Sequence, residues 1–202
     1  MSRRSRRAAV TRDNHIGDPL VPVTIGKPPE HNFANPIGLL TDCHRRIEHF
    51  LSVLTRVGSE TLGISLTEEQ RTALETALRY FRDAAPKHTA DEEESLFPRL
   101  RAASDPEMTA ILDSVASLEA DHGVAARGHA ELDRLGTTWL ADGVLTGPER
   151  ARFSEIATEL QRLYASHIEL EENRVFPAAA AVISERDRQG IGAEMAARRG
   201  LR

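Results

Sequence analysis

HTADEEESLFP at residues 88–98 and HIELEENRVFP at residues 167–177 are two copies of one pattern, H-x-x-x-E-E-x-x-[L/V]-F-P, with every offset kept over eleven positions. On an α-helix, residues four apart lie about 40° apart around the axis and about 6 Å along it. His88 and Glu92 therefore leave one face of a helix, and His167 and Glu171 one face of another, each pair placed to reach a common ion.

The surrounding sequence makes both copies parts of long amphipathic helices. Apolar positions recur at helical spacing in four blocks. The first runs from about Pro36 to Val57 through Ile37, Leu40, His44, Ile47, Leu51 and Leu54, and is expected to stop at Gly58. The second opens at the capping box Thr67 to Gln70 and carries Leu74, Leu78, Phe81, Ala85, His88, Glu92 and Leu96, with Pro86 expected to kink it. The third opens at Ser104, Asp105 and Pro106 and carries Ile111, Val115, Leu118, His122, Ala125, His129, Leu132 and Leu135. The fourth opens at a second capping box, Thr146 to Glu149, and carries Phe153, Ile156, Leu160, Leu163, His167, Glu171 and Val175. Ser184 caps a short fifth helix through Ala197, beyond which the Arg-rich end is expected to fray.

This pattern predicts an all-α protein. Its core is an antiparallel up-down-up-down four-helix bundle over residues 35–183, with an Arg-rich, extended lead-in over 1–34 and a short C-terminal helix or tail over 184–202. Helix lengths set the four histidines at similar depth. Counting from each to the helix end and back leaves mismatches of about 5 to 12 Å at roughly 1.5 Å per residue, which loops can partly absorb.

Composition narrows the class. With 40% apolar and only 4% aromatic residues, 27 Ala and 21 Leu, the chain leans toward helix. A single cysteine, Cys43, excludes a disulfide scaffold, and it is expected to be core. No apolar run is long enough to span a membrane. Five arginines fall within the first twelve residues, so the remaining 190 carry 21 bases against 31 acids; an acidic body argues against a nucleic-acid-binding core. No apolar stretch follows those arginines as a secretory signal would require, which leads to the expectation of a cytoplasmic protein.

Each apolar seam is interrupted by histidine, and two by glutamate as well. Burying four imidazoles and two carboxylates is costly unless something satisfies them. A pair of metal ions would do so, and imidazole with carboxylate and no thiolate suits iron, manganese or zinc, with Glu92 and Glu171 as bridges. Solvated polar faces are the alternative, but these residues sit on the apolar seam. Glu93 and Glu172 either accept outer hydrogen bonds or face solvent. Glu48 is expected to pair with a base such as Arg45, Tyr164 to pack or else to hydrogen-bond near the centre, His49 to face solvent, and Phe97 and Phe176 to close the bundle. His15 and His31 are expected to be uninvolved.

On His44, His88-x-x-x-Glu92, His122 and His167-x-x-x-Glu171, with a Phe-Pro after each Glu motif, the chain resembles the haemerythrin-like (HHE cation-binding) family over about residues 36–183. The resemblance implies a left-handed four-helix bundle around two non-haem iron ions (Fe2+/Fe3+) with an oxo, hydroxo or water bridge. It implies His44 and His88 on one iron, His122 and His167 on the other, and Glu92 and Glu171 between them. Two departures stand out. Oxygen-carrying members have a second histidine four residues along the third helix, where this chain has Ala126, and a His-x-x-x-x-Asp on the fourth, where it has His-x-x-x-Glu. The iron nearest His122 should then be more open, which counts against reversible oxygen carriage. His129, about 10 Å along the axis from His122, is either a replacement metal ligand or a group lining the approach.

The function expected from the resemblance is binding or reduction of a small oxidant, namely oxygen, hydrogen peroxide or nitric oxide, with peroxide decomposition as the enzymatic form. The alternatives are an iron or oxygen sensor whose segment 184–202 contacts a protein partner, iron handling without turnover, and a zinc-filled or metal-free structural bundle.

Overall fold

The computed structural model describes residues 30–61, 65–103 and 108–201. The described residues form only helices and their connections: α1 (Pro36–Glu60), α2 (Glu68–Asp83), α3 (Ala85–Ala90), π1 (Asp91–Leu96), α4 (Phe97–Ala102), α5 (Thr109–Asp142), α6 (Gly147–Leu170), π2 (Glu171–Val175), α7 (Phe176–Val182) and α8 (Glu185–Arg198). Most of the Arg-rich lead-in, His15, and the expected cap at Ser104 to Pro106 lie outside the described residues.

Local chemistry sets the helix starts. The Asn35 side chain accepts from the Gly38 N–H at the head of α1. Thr67 with Gln70 and Thr146 with Glu149 form reciprocal capping boxes, each satisfying two backbone donors that a helix N-terminus leaves free. Ser184 caps α8 by accepting from the Asp187 N–H. The predicted kink at Pro86 is a break at Ala84, where α2 ends and α3 restarts with Pro86 in its first turn.

Gly58 is a correction. It does not end the first helix, which continues to Glu60. A Cβ at Gly58 would stand 2.8 Å from Ser154 Oγ, so the glycine allows α1 and α6 to approach closely.

Helix α1 packs on α2 and α6, and α5 packs on the same two, closing a ring of four helical arms. The apolar interior is divided in two. One cluster runs from Ile47 and Leu51 to Trp139 and Phe153, and the other from Leu40 and Leu96 to Leu118, Val175 and Met195. Along α1, His44 lies between Leu40 of one cluster and Ile47 of the other; along α5, His122 lies between Leu118 and Ala125. A polar layer thus crosses the greasy interior at the depth the register arithmetic assigns to the histidines. Among the described residues no helix is long and apolar enough to cross a membrane.

Helix α8 packs on α1 and π1, burying Ile191 and Met195 in the second cluster. Gly192 faces the backbone of Phe33, and a methyl group there would run into the Phe33 carbonyl oxygen. Since that obstacle is backbone, Gly192→Ala is expected to lower stability by about 1–3 kcal/mol, read as a drop in the urea midpoint at unchanged slope.

Candidate metal centre

Six buried side chains converge in the polar layer: His44 from α1, His88 from α3, Glu92 from π1, His122 from α5, His167 from α6 and Glu171 from π2. They fall into two sets, His44, His88, Glu92 and Glu171, and Glu92, His122, His167 and Glu171, the donor atoms of each set lying within 4.8 Å of one another. Both carboxylates belong to both sets. Glu92 turns Oε1 to His88 Nε2 at 3.2 Å and Oε2 to His122 Nε2 at 3.3 Å. Glu171 Oε2 lies 3.1 Å from His44 Nε2 and 3.4 Å from His167 Nε2.

These atoms are close without being hydrogen-bonded. His44 Nε2, His122 Nε2, His167 Nε2 and all four oxygens of Glu92 and Glu171 are buried with no hydrogen-bond partner. A folded protein rarely leaves so many polar atoms unsatisfied in one place. Donors bound to one ion at about 2.1 Å stand roughly 3 Å apart, near the spacing observed. The donor set, imidazoles and carboxylates without thiolate, fits a metal site.

Electrostatics agree. Burial, and then the charge of Glu171, push Glu92 well above the usual carboxylate range. Glu171 is also raised by burial, but His167 and His44 outweigh that and hold it low. Without a cation, ionising both carboxylates side by side is therefore disfavoured. Burial, reinforced by His44, drives His88 well down, and His122 is lowered chiefly by burial, so both favour the neutral ring that a metal ligand needs.

The second acid of each repeat anchors the histidine of a different arm. Glu172 lies 2.8 Å from His44 Nδ1 and Glu93 lies 2.8 Å from His122 Nδ1. His44 and Arg45 hold Glu172 in its ionised form. A carboxylate there fixes the proton on Nδ1 and turns the Nε2 lone pair toward the centre. Asp121 Oδ2 lies 3.5 Å from His167 Nδ1. The phenylalanines do more than close the bundle: Phe176 stacks on His44 at 5.4 Å and Phe97 on His122 at 6.4 Å, each within about 10° of parallel.

Both glutamates sit in π-helical turns. The Phe97 N–H donates to the Glu92 carbonyl and the Phe176 N–H to the Glu171 carbonyl, five residues back in each case. The next residue, Pro98 or Pro177, has no N–H to offer and its ring opposes the carbonyl four residues earlier. A turn widened by one residue relieves that conflict, and such turns recur where function demands them.

The remaining histidines lie elsewhere. His129 belongs to neither set; its Nε2 is 3.2 Å from the Tyr164 hydroxyl, its ring stacks on Phe81, and burial lowers it to about 4. His49, expected in solvent, is half-buried against Phe50, because its face of α1 is flanked by partly buried side chains. His31 binds Asp42, its backbone N–H donating to Oδ2 at 2.8 Å and its ring Nδ1 lying 3.3 Å from Oδ1. Glu48 accepts from Arg45 at 2.7 Å as expected, and Cys43 is buried beside Arg46.

Sequence reasoning missed Asp91, the fully buried neighbour of Glu92. It accepts from Arg198 at 3.0 Å and Arg199 at 2.6 Å, so the C-terminal end expected to fray is fastened beneath the centre. The pairing joins residues more than a hundred positions apart and has no local signature.

The sequence profile of a family described as the Hemerythrin HHE cation binding domain matches residues 35–179. No curated protein matches the chain.

Removing both arginines of this clamp would leave Asp91 buried and unpaired. The double variant Arg198→Ala, Arg199→Ala is therefore expected to lose about 3–5 kcal/mol, measured by chemical denaturation at neutral pH.

Proposed function

Because the chain belongs to the hemerythrin HHE cation-binding family, we propose that it is a non-haem di-iron protein that binds or reduces a small oxidant, oxygen, hydrogen peroxide or nitric oxide, in the cytoplasm. The observation that carries this reading is the shared pair of buried carboxylates, Glu92 and Glu171, each within reach of histidines from both sets and each with two unsatisfied oxygens. In this reading His44 and His88 would hold one ion, His122 and His167 the other, with Glu92 and Glu171 shared between them, and the ring of arms would be an up-down-up-down bundle. When bound, an iron pair supplies one-electron changes at each ion and an open position for an oxidant.

The chain's own residues supply orientation and exclusion. Glu172 and Glu93 lock the tautomers of His44 and His122 through their Nδ1 atoms. Phe176 and Phe97 fix the ring planes, and the two apolar clusters keep bulk water from the layer between them. Ala126 leaves the His122 side without a further donor on α5, which favours access of an outside molecule over saturation by protein ligands. His129 is proposed to stand along that approach through its bond to Tyr164 rather than on an ion.

Anaerobic reconstitution with ferrous iron, then exposure in turn to oxygen, peroxide and nitric oxide, tests the reading. Uptake of about two ions per chain, with near-ultraviolet charge-transfer absorption after oxidation, is the expected result. Colourless protein holding stoichiometric zinc and refusing iron would overturn it. His88→Ala and Glu171→Ala are each expected to lose metal and melt at lower temperature, whereas Glu172→Gln should keep the fold and bind metal roughly 10–100-fold more weakly. Metal content by elemental analysis and thermal unfolding check both.

A further inference from the structure

A cleft of about 330 Å³ opens between α2, α3 and α5 and reaches His122. Its mouth lies between Pro86 and Thr89 on one side and Ala126 and Ala130 on the other, and its inner wall is formed by buried Leu54, Leu78, Phe81 and Leu132. Three features of the sequence make it. The restart at Pro86 sets α3 off from α2, a run of small side chains on α5 leaves the space unfilled, and the missing donor at position 126 brings the void up to the centre.

Volume and charge say what fits. A water molecule takes about 30 Å³, and an apolar void of about 150 Å³ already holds benzene, so this cleft is far larger than a diatomic molecule or hydrogen peroxide needs. It falls within the size range of sites for small organic ligands. The charged groups lining it, Arg82 and Asp133, neutralise each other in an ion pair. His129 is held neutral by burial and accepts or donates with Tyr164 through Nε2, while its Nδ1 has no partner. The walls therefore offer hydrocarbon contact and no net charge for an ion.

We propose that this cleft binds a neutral, compact organic molecule with a hydrocarbon body. Joined to the oxidant reading above, on which this last step alone rests, the substrate class is an organic hydroperoxide. Its two-electron reduction, taking up two protons from solvent, would break the oxygen–oxygen bond and leave an alcohol and water, the electrons being those that a bound ferrous pair would supply.

The probe is cumyl alcohol, which has the shape of such a substrate and cannot react, titrated calorimetrically into the full-length protein with its metal bound. Saturable binding is expected, with benzoate, of similar size but charged, failing to bind. Ala126→Leu and Ala130→Leu, which fill the cleft, should each weaken cumyl alcohol by at least about tenfold, or roughly 1.4 kcal/mol, at unchanged metal content. No binding to the wild-type protein, equal affinity for benzoate, or undiminished affinity in both variants would overturn the proposal. Cumene hydroperoxide added to the ferrous protein separates the two readings. Oxidation confirms the hydroperoxide assignment, whereas cumyl alcohol binding without oxidation by this or any other oxidant keeps the cleft as a binding site and refutes the oxidant reading.

Discussion

Glu92 and Glu171 stand side by side in the interior, and removing an ionised carboxylate from water costs several kcal/mol even after the surroundings relax. Among the described residues no lysine or arginine side chain pairs with them; four imidazoles do the facing. Those rings can act as neutral donors to a cation but are poor counter-ions when burial lowers them, as it does at His88 and His122. Everything around the pair serves to keep this arrangement from collapsing: clusters of apolar side chains above and below, aromatic rings stacked on two imidazoles, and outer carboxylates on two Nδ1 atoms.

The arrangement carries an internal two-fold likeness that follows from the repeated segment. In each copy the first glutamate enters the shared pair, the second reaches the histidine of another arm, and the phenylalanine stacks on that same histidine. Glu172 and Phe176 serve His44; Glu93 and Phe97 serve His122. One eleven-residue pattern thus specifies a histidine of the cluster, a carboxylate shared by both sets, and the orientation of a neighbour's histidine. The proline at the end of each copy accounts for the widened turn on which the glutamate sits.

Much of this was legible because it is local or periodic. Capping boxes at Thr67 and Thr146 depend on residues three apart, and polar interruptions at His44, His88, His122 and His167 stand out against apolar seams. The π turns were less visible, since one added residue leaves the seam readable on both sides; the Phe-Pro pairs were the signal, and helix-interior proline the reason to heed it. Gly58 reads as a helix stop by local preference, but packing against Ser154 overrides that preference. The fastening of α8 was hidden because a charged, weakly amphipathic helix resembles a tail until Asp91 supplies the partner for Arg198 and Arg199.

The two-fold likeness stops at the surroundings, and there function can enter. On the His44 side, α8 and the Phe33 segment cover the layer, Asp91 is clamped by two arginines, and Glu172 is shared between His44 and Arg45. On the His122 side, the break before Pro86 and the small side chains of α5 leave the cleft, and the corresponding covering helix has no counterpart among the described residues. Equivalent donors therefore stand in unequal surroundings, with an open cleft on the His122 side. Rigidity on the covered side holds the shared carboxylates in place, so that a molecule arriving through the cleft meets side chains already fixed in orientation rather than free to rearrange around it.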